Sequence, residues 1–213
     1  SVLVSLLLRG GLLRGVTHCG LLTEMIPVCG TAFGFPNGSV AVDERSVWTA
    51  FGDSTFARLD PAGQILGQTL AGLQPAGVVV VTGSVWVTNS GDATVQRFSE
   101  DTFTQGPLRM FNVGTQPTGI TYADGAIWVA NSGDATVWRI DPDSAATQII
   151  DVAEGPTALA RQAGAVWVAS TASGIASRID PATNDVVATI DIGSAPTGIA
   201  AADGLLWVSA QTP

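Results

Sequence analysis

Lysine is absent from this 213-residue chain, histidine occurs once, cysteine twice, and charged residues make up only 13% of the whole. All nine basic residues are arginine against 18 acidic ones, giving a formal net charge of −9 and a pI near 4.3. That balance argues against binding nucleic acid or an anionic membrane, because both need clustered basic side chains. The single histidine, His18, stands apart from the repeats described below. Cys19 and Cys29 have no second cysteine pair or histidine at zinc spacing. A disulfide between them, in an oxidising compartment, and two free thiols are both open readings. The apolar run Ser1–Leu8, ahead of Arg9, is too short to span a bilayer. It suits an outer strand or the tail of a signal or anchor segment.

Apolar residues account for 46% of the chain, enough for a large core. Asp outnumbers Glu by 14 to 4, and most Asp residues lie beside Gly or Pro. Asp bonds its own backbone in turns, so the bias predicts many tight hairpins. Five tryptophans recur in one phrase: Ser46-Val47-Trp48-Thr49-Ala50, Ser84-Val85-Trp86-Val87-Thr88, Ala126-Ile127-Trp128-Val129-Ala130, Ala165-Val166-Trp167-Val168-Ala169 and Leu205-Leu206-Trp207-Val208-Ser209. Their separations of 38, 42, 39 and 40 residues, in strand-forming sequence, predict an all-β propeller.

The third repeat displays the unit. Gln116–Tyr122 reads as a first strand, and Asp124-Gly125 as a two-residue hairpin turn in which Gly accepts positive φ. Ala126–Asn131, apolar on both sides of the pleat, is a second strand with sheets packed on both faces. Thr136–Ile140 is a third strand, ended by Asp141-Pro142 because Pro cannot continue a ladder. Thr147–Val152 is the fourth and outermost. The second repeat departs from this pattern at Arg97-Phe98-Ser99. Four strands per repeat predict one blade each, about 40 residues long, and four to five blades between residues 31 and 213. The five indoles are expected to lie between blades and to supply much of their burial. Arg139 and Arg178 are expected to lay their stems along a blade and pair with a nearby Asp. Residues 1–30 form a separate segment. Two completions are open: Glu24–Val28 supplies a closing outer strand, or these blades belong to a larger ring.

These phrases resemble the YVTN-type (YncE-like) propeller repeats and the related virginiamycin B lyase-like repeats. The likeness is carried by Pro196-Thr197-Gly198-Ile199-Ala200, Trp128-Val129-Ala130-Asn131 and Arg178-Ile179-Asp180-Pro181-Ala182-Thr183, and covers residues 38–210. It implies an extracytoplasmic recognition or scaffolding domain of a seven-bladed type, tethered to other domains of a longer chain. The lyase-like relatives imply the alternative of a metal-assisted enzyme with a general base and histidine at the channel mouth. No repeat of this chain carries a histidine.

Other motifs favour turns over chemistry. Phe51-Gly52-Asp53-Ser54 resembles an esterase nucleophile block, but it aligns with the turns Ser90-Gly91-Asp92 and Ser132-Gly133-Asp134, and the Asp-x-x-His partner is missing. Asn89–Asp92 and Asn131–Asp134 each offer about two side-chain oxygens, short of the six to eight that calcium takes. No cofactor motif appears. If the loops after the second strands share a face with those joining blades, Asn89, Asp92, Asn131 and Asp134 ring the channel mouth with Gln74, Gln116, Thr118, Thr157 and Thr197. Such a surface hydrogen-bonds without strong acid–base groups and suits a protein, peptide or glycan ligand. An equal alternative is that these residues only satisfy turn backbones. The expectation is a non-catalytic binding domain, without direct membrane binding by the propeller.

Overall fold

Every Trp phrase becomes the second strand of an antiparallel sheet. The computed structural model describes residues 40–211, apart from 44 and 203. The segment 1–30, with Glu24–Val28, His18, Cys19 and Cys29, lies outside the described residues. The first sheet holds β1 (Val40–Val42), β2 (Val47–Ala50), β3 (Thr55–Leu59) and β4 (Ile65–Leu70). The second holds β5 (Pro75–Val81), β6 (Ser84–Asn89), β7 (Thr94–Ser99) and β8 (Arg109–Asn112). The third holds β9 (Pro117–Ala123), β10 (Ala126–Asn131), β11 (Thr136–Ile140) and β12 (Thr147–Asp151). The fourth holds β13 (Pro156–Gln162), β14 (Ala165–Ser170), β15 (Ile175–Asp180) and β16 (Asp185–Asp191). A final pair is made by β17 (Ala195–Ala202) and β18 (Leu205–Gln211). Each four-stranded sheet runs in simple sequential order, which is the blade of a propeller.

Turn chemistry sets these registers. Asp124 and Gly125 both sit at positive φ, 49° and 74°, the mirror-image hairpin turn that matches strand twist. After third strands, Asp60, Asp141 and Asp180 each fold a carboxylate oxygen back onto the N–H two residues on, at 2.9, 3.0 and 2.9 Å. The excess of Asp is thus spent on Asx-turns.

Packing between sheets is directional. Trp48 shares one core cluster with Val78, Val85, Val87 and Phe98 of the second blade, the last through Phe56. Trp86 shares a cluster with Ile127, Val129 and Ile140 of the third, and Trp128 with Val166, Val168 and Ile179 of the fourth. All three indoles are fully buried. The expectation that all five would be so placed is corrected: Trp167 is half-buried and Trp207 is 60% exposed. Trp167 faces a sheet of two strands, and among the described residues no sheet covers Trp207.

The 42-residue interval from Trp86 to Trp128 also has a cause. The link between β7 and β8 carries a turn of 3-10 helix, Phe103–Gln105, that inserts Phe103 edge-on against Trp48 at 5.0 Å between ring centroids. A side chain from the second blade thereby closes the outer end of the first interface.

Arginine flanks the buried tryptophans. Trp48, Trp86 and Trp128 pair across the strands with Arg58, Arg97 and Arg139, whose guanidinium carbons lie 5.0, 5.4 and 5.8 Å from the ring centroids. Arg58 Nε donates to Ser46 Oγ at 2.7 Å and Nη1 to the Glu100 carbonyl of the next blade at 3.2 Å. Arg97 repeats this with Ser84 Oγ at 3.0 Å and the Pro142 carbonyl at 3.3 Å. For Arg58 and Arg97 the partners are thus an indole, a hydroxyl and a neighbouring carbonyl, while Asp141, held below the ordinary carboxyl range first by its Ser144 and Asp143 hydrogen bonds, also feels the charge of Arg139. In the third blade the serine is replaced by Ala126, and Arg139 Nε is buried without a partner.

Asp43 accepts the Trp48 indole N–H at 2.8 Å. Burial pushes its carboxyl up, but that indole, the Arg45 and Ser46 backbone N–H groups and nearby Arg58 together leave it below the ordinary value. This stabilisation is present above the unfolded carboxyl range and is lost as pH falls through the lowered value.

Toward the axis, the first strands of successive blades touch backbone to backbone. A Cβ on Gly77 would lie 2.4 Å from the Thr118 carbonyl oxygen, and one on Gly119 would lie 2.7 Å from that of Thr157. Threonine hydroxyls tie the same junctions: Thr88 Oγ1 donates to Thr118 O at 2.9 Å and Thr118 Oγ1 to Pro156 O at 3.2 Å.

Candidate functional site

The loops joining blades and the loops between second and third strands meet on one face, as the repeat pattern predicts. In the second blade, Asp92 accepts from Leu73 N–H at 3.0 Å and from Thr94 Oγ1 at 2.8 Å. Asn89 accepts from Gly72 N–H at 3.0 Å and donates to Thr94 Oγ1 at 3.1 Å. The third blade repeats the brace: Asp134 accepts from Thr115 N–H at 2.9 Å and from Thr136 Oγ1 at 2.8 Å, while Asn131 donates to Thr136 Oγ1 at 3.2 Å. Each brace ties an inter-blade loop to the adjacent turn, which local sequence spacing alone does not reveal.

A depression of about 750 Å³ opens between the second and third blades. Gln74, Asp92, Thr115, Gln116 and Thr118 line it, with Ser90 and Ser132. A smaller one of about 240 Å³ shares Gln74 and Ser90 and reaches Gly52. The two therefore adjoin, and together they touch loops of three blades.

The structure brings Gln74, Asp92, Gln116 and Thr118 together. It places the other candidates differently. Asn89 and Asn131 are fully buried inside the braces. Asp134 is exposed but does not line the depression, and its oxygens hold Thr115 and Thr136. Thr157 is half-buried, with its hydroxyl 2.6 Å from that of Thr171, and Thr197 is exposed beside Ser209. Ser90, Thr115 and Ser132 join the lining without being expected there from the sequence. Their signal is position in the turn phrase Asn-Ser-Gly-Asp and, for Thr115, in the loop before the repeat-opening Pro.

Gln74 and Gln116 have φ of 51°, in the left-handed region. Their carbonyls are held twice, by the backbone N–H and the hydroxyl of Ser90 (both 2.9 Å) and of Ser132 (both 3.0 Å). Both side-chain amides are exposed, with no protein partner among the described residues.

Ser54 of the esterase-like phrase occupies the turn between β2 and β3 at φ 69°, its N–H donating to the Phe51 carbonyl at 3.1 Å. Among the described residues, no three His, Cys, Asp or Glu side chains are grouped to hold a metal ion. Each Asp92 oxygen already accepts one hydrogen bond within the fold.

Fold and site together define a β-propeller with a polar depression on the face of the loops between its second and third blades. No family model matches the chain, and no curated protein matches it. Solved structures do. A streptogramin B lyase is 20% identical with a TM-score of 0.71, over 81% of this chain and 61% of that one. A catalytically inactive His-to-Ala variant of virginiamycin B lyase from Staphylococcus aureus, solved with quinupristin, is 19% identical with a TM-score of 0.69, over 81% and 63%. A chain of a mitotic checkpoint complex is 11% identical with a TM-score of 0.72, over 81% and 58%. This chain thus spans about three fifths of each. At such identities the likeness shows the propeller fold alone.

Proposed function

We propose that this chain is a non-catalytic recognition domain that binds a protein, peptide or glycan at the channel mouth, outside the cytoplasm. The observation that carries this reading is the lining of the 750 Å³ depression: two carboxamides, hydroxyls and one carboxylate already engaged by its own loop. Such groups donate and accept hydrogen bonds but form no nucleophile–base pair. With Asp92 the one ionisable group of the lining, a neutral or cationic ligand fits and an acidic one is opposed. The extracytoplasmic placement and the tether to further domains rest on the YVTN-type repeat phrases.

The lyase-like structures make an enzyme the competing reading. Their metal-assisted chemistry needs groups that this depression does not present, and His18 stands outside the repeats. The test is to incubate the protein with uncharged peptides and neutral oligosaccharides, with and without magnesium and EDTA. Binding is followed by NMR and covalent change by mass spectrometry. Reversible shifts at Gln74, Ser90, Thr115 and Gln116, unaffected by EDTA and without product, are expected. A metal-dependent product would establish the enzymatic alternative instead.

A further inference from the structure

The geometry points to Gln74 and Gln116 as a pair of carboxamide clamps that hold the main chain of an extended, uncharged peptide segment of a partner protein. The inference rests on the recognition reading above and specifies its ligand.

The first support is conformational. A glutamine in the left-handed region is strained, and such strain persists only where the surroundings over-determine it. Here each Gln carbonyl takes two hydrogen bonds from the facing serine. The fourth blade makes the same loop, with Thr171 N–H bonded to the carbonyl of residue 155 at 2.8 Å, but it places Gly155 there at φ 69°. Glycine adopts that conformation freely. The fourth blade also lacks the carboxylate brace, having Ser173 where the third has Asp134. Glutamine and brace therefore occur together, in the two blades that border the depression. Neither is required to make the loop.

The second support is chemical. A primary carboxamide offers a donor and an acceptor side by side, the complement of the N–H and C=O that one residue of an extended strand presents on the same edge. Both side-chain amides point this capacity at solvent with no protein partner among the described residues. Shape supplies the third. The two depressions share Gln74 and Ser90, so the surface suits a ligand longer than it is wide. No aromatic ring lines either, which removes the apolar platform on which sugar rings commonly stack. Leu73, 60% exposed beside Gln74, provides an apolar contact for one peptide side chain.

The test uses the whole chain and two probe sets: N-acetylated, C-amidated uncharged octapeptides, and maltopentaose with cellopentaose. Three proteins are compared, namely the native chain, Gln74→Gly/Gln116→Gly and Gln74→Asn/Gln116→Asn. Peptide binding is expected to shift the Gln side-chain NH₂ resonances of the native protein. The double Gly variant should lose at least tenfold in affinity without a fall in melting temperature, because glycine relieves the backbone strain. The double Asn variant, which keeps the amide on a shorter stem, should fall between. Peptide binding of equal strength by the Gly variant overturns the clamp and leaves the recognition reading standing. Binding of the oligosaccharides in place of the peptides overturns the ligand assignment. Failure of both probe sets to perturb the face overturns the clamp and the recognition reading together.

Discussion

The third blade and the final strand pair carry almost the same phrase, Ala126-Ile127-Trp128-Val129-Ala130 and Leu205-Leu206-Trp207-Val208-Ser209, with opposite outcomes. Trp128 is sealed between two sheets, while Trp207 is 60% exposed on a sheet of two strands. The indole's energetic role is a property of the interface, not of the phrase. A blade cannot bury its own tryptophan, because each ring is covered by the sheet that follows it.

This contrast is sharpest in stability. Trp128→Ala should lower unfolding free energy by about 3–5 kcal/mol, as for buried large-to-small changes. Trp207→Ala should stay within about 0.5 kcal/mol, as for an exposed position. Urea denaturation of the two variants side by side checks the pair, and equal losses would mean that Trp207 is covered in solution. A second difference separates the third and fourth blades. Asp134→Ala removes acceptors from Thr115 N–H and Thr136 Oγ1 and should cost about 1–3 kcal/mol. Ser173→Ala, at the matching place, should cost no more than about 0.5 kcal/mol. Amide exchange at Thr115, faster in Asp134→Ala, locates the loss in that loop. The smallest effect has the opposite sign. Ala126→Ser restores the hydroxyl that Ser46 and Ser84 offer to their arginines, giving Arg139 Nε an acceptor. It should add about 0.5–1.5 kcal/mol, read as a higher urea midpoint, with no gain in an Arg139→Lys background.

These contrasts also mark what a chain of letters can convey. The strands of the third blade follow from Asp124-Gly125, the Trp128 phrase and Asp141-Pro142, because turns and pleats are set by near neighbours. Phe103 was not legible as a core residue. It docks on Trp48, fifty-odd positions away, from a link that merely breaks the repeat. For the site, Gln116 and Asp92 follow from loop position. Asn89 and Asn131 do not, since a buried brace and a ligand contact use the same side chain in the same turn. Only the facing loop, through Gly72 N–H for Asn89, decides between them. The exposure of Trp207 is likewise fixed by what lies beyond its sheet.

The near-contact of main chains at Gly77 and Gly119 has a wider consequence. Spacing between the inner strands of successive blades is limited by peptide units that abut one another and by the Thr88 and Thr118 hydroxyls, not by the side chains of Gln74 and Gln116, which have no protein partner among the described residues. The side chains of Gln74 and Gln116 are then free to change without disturbing that spacing. Selection can redraw this loop face without touching the inner strands that carry it.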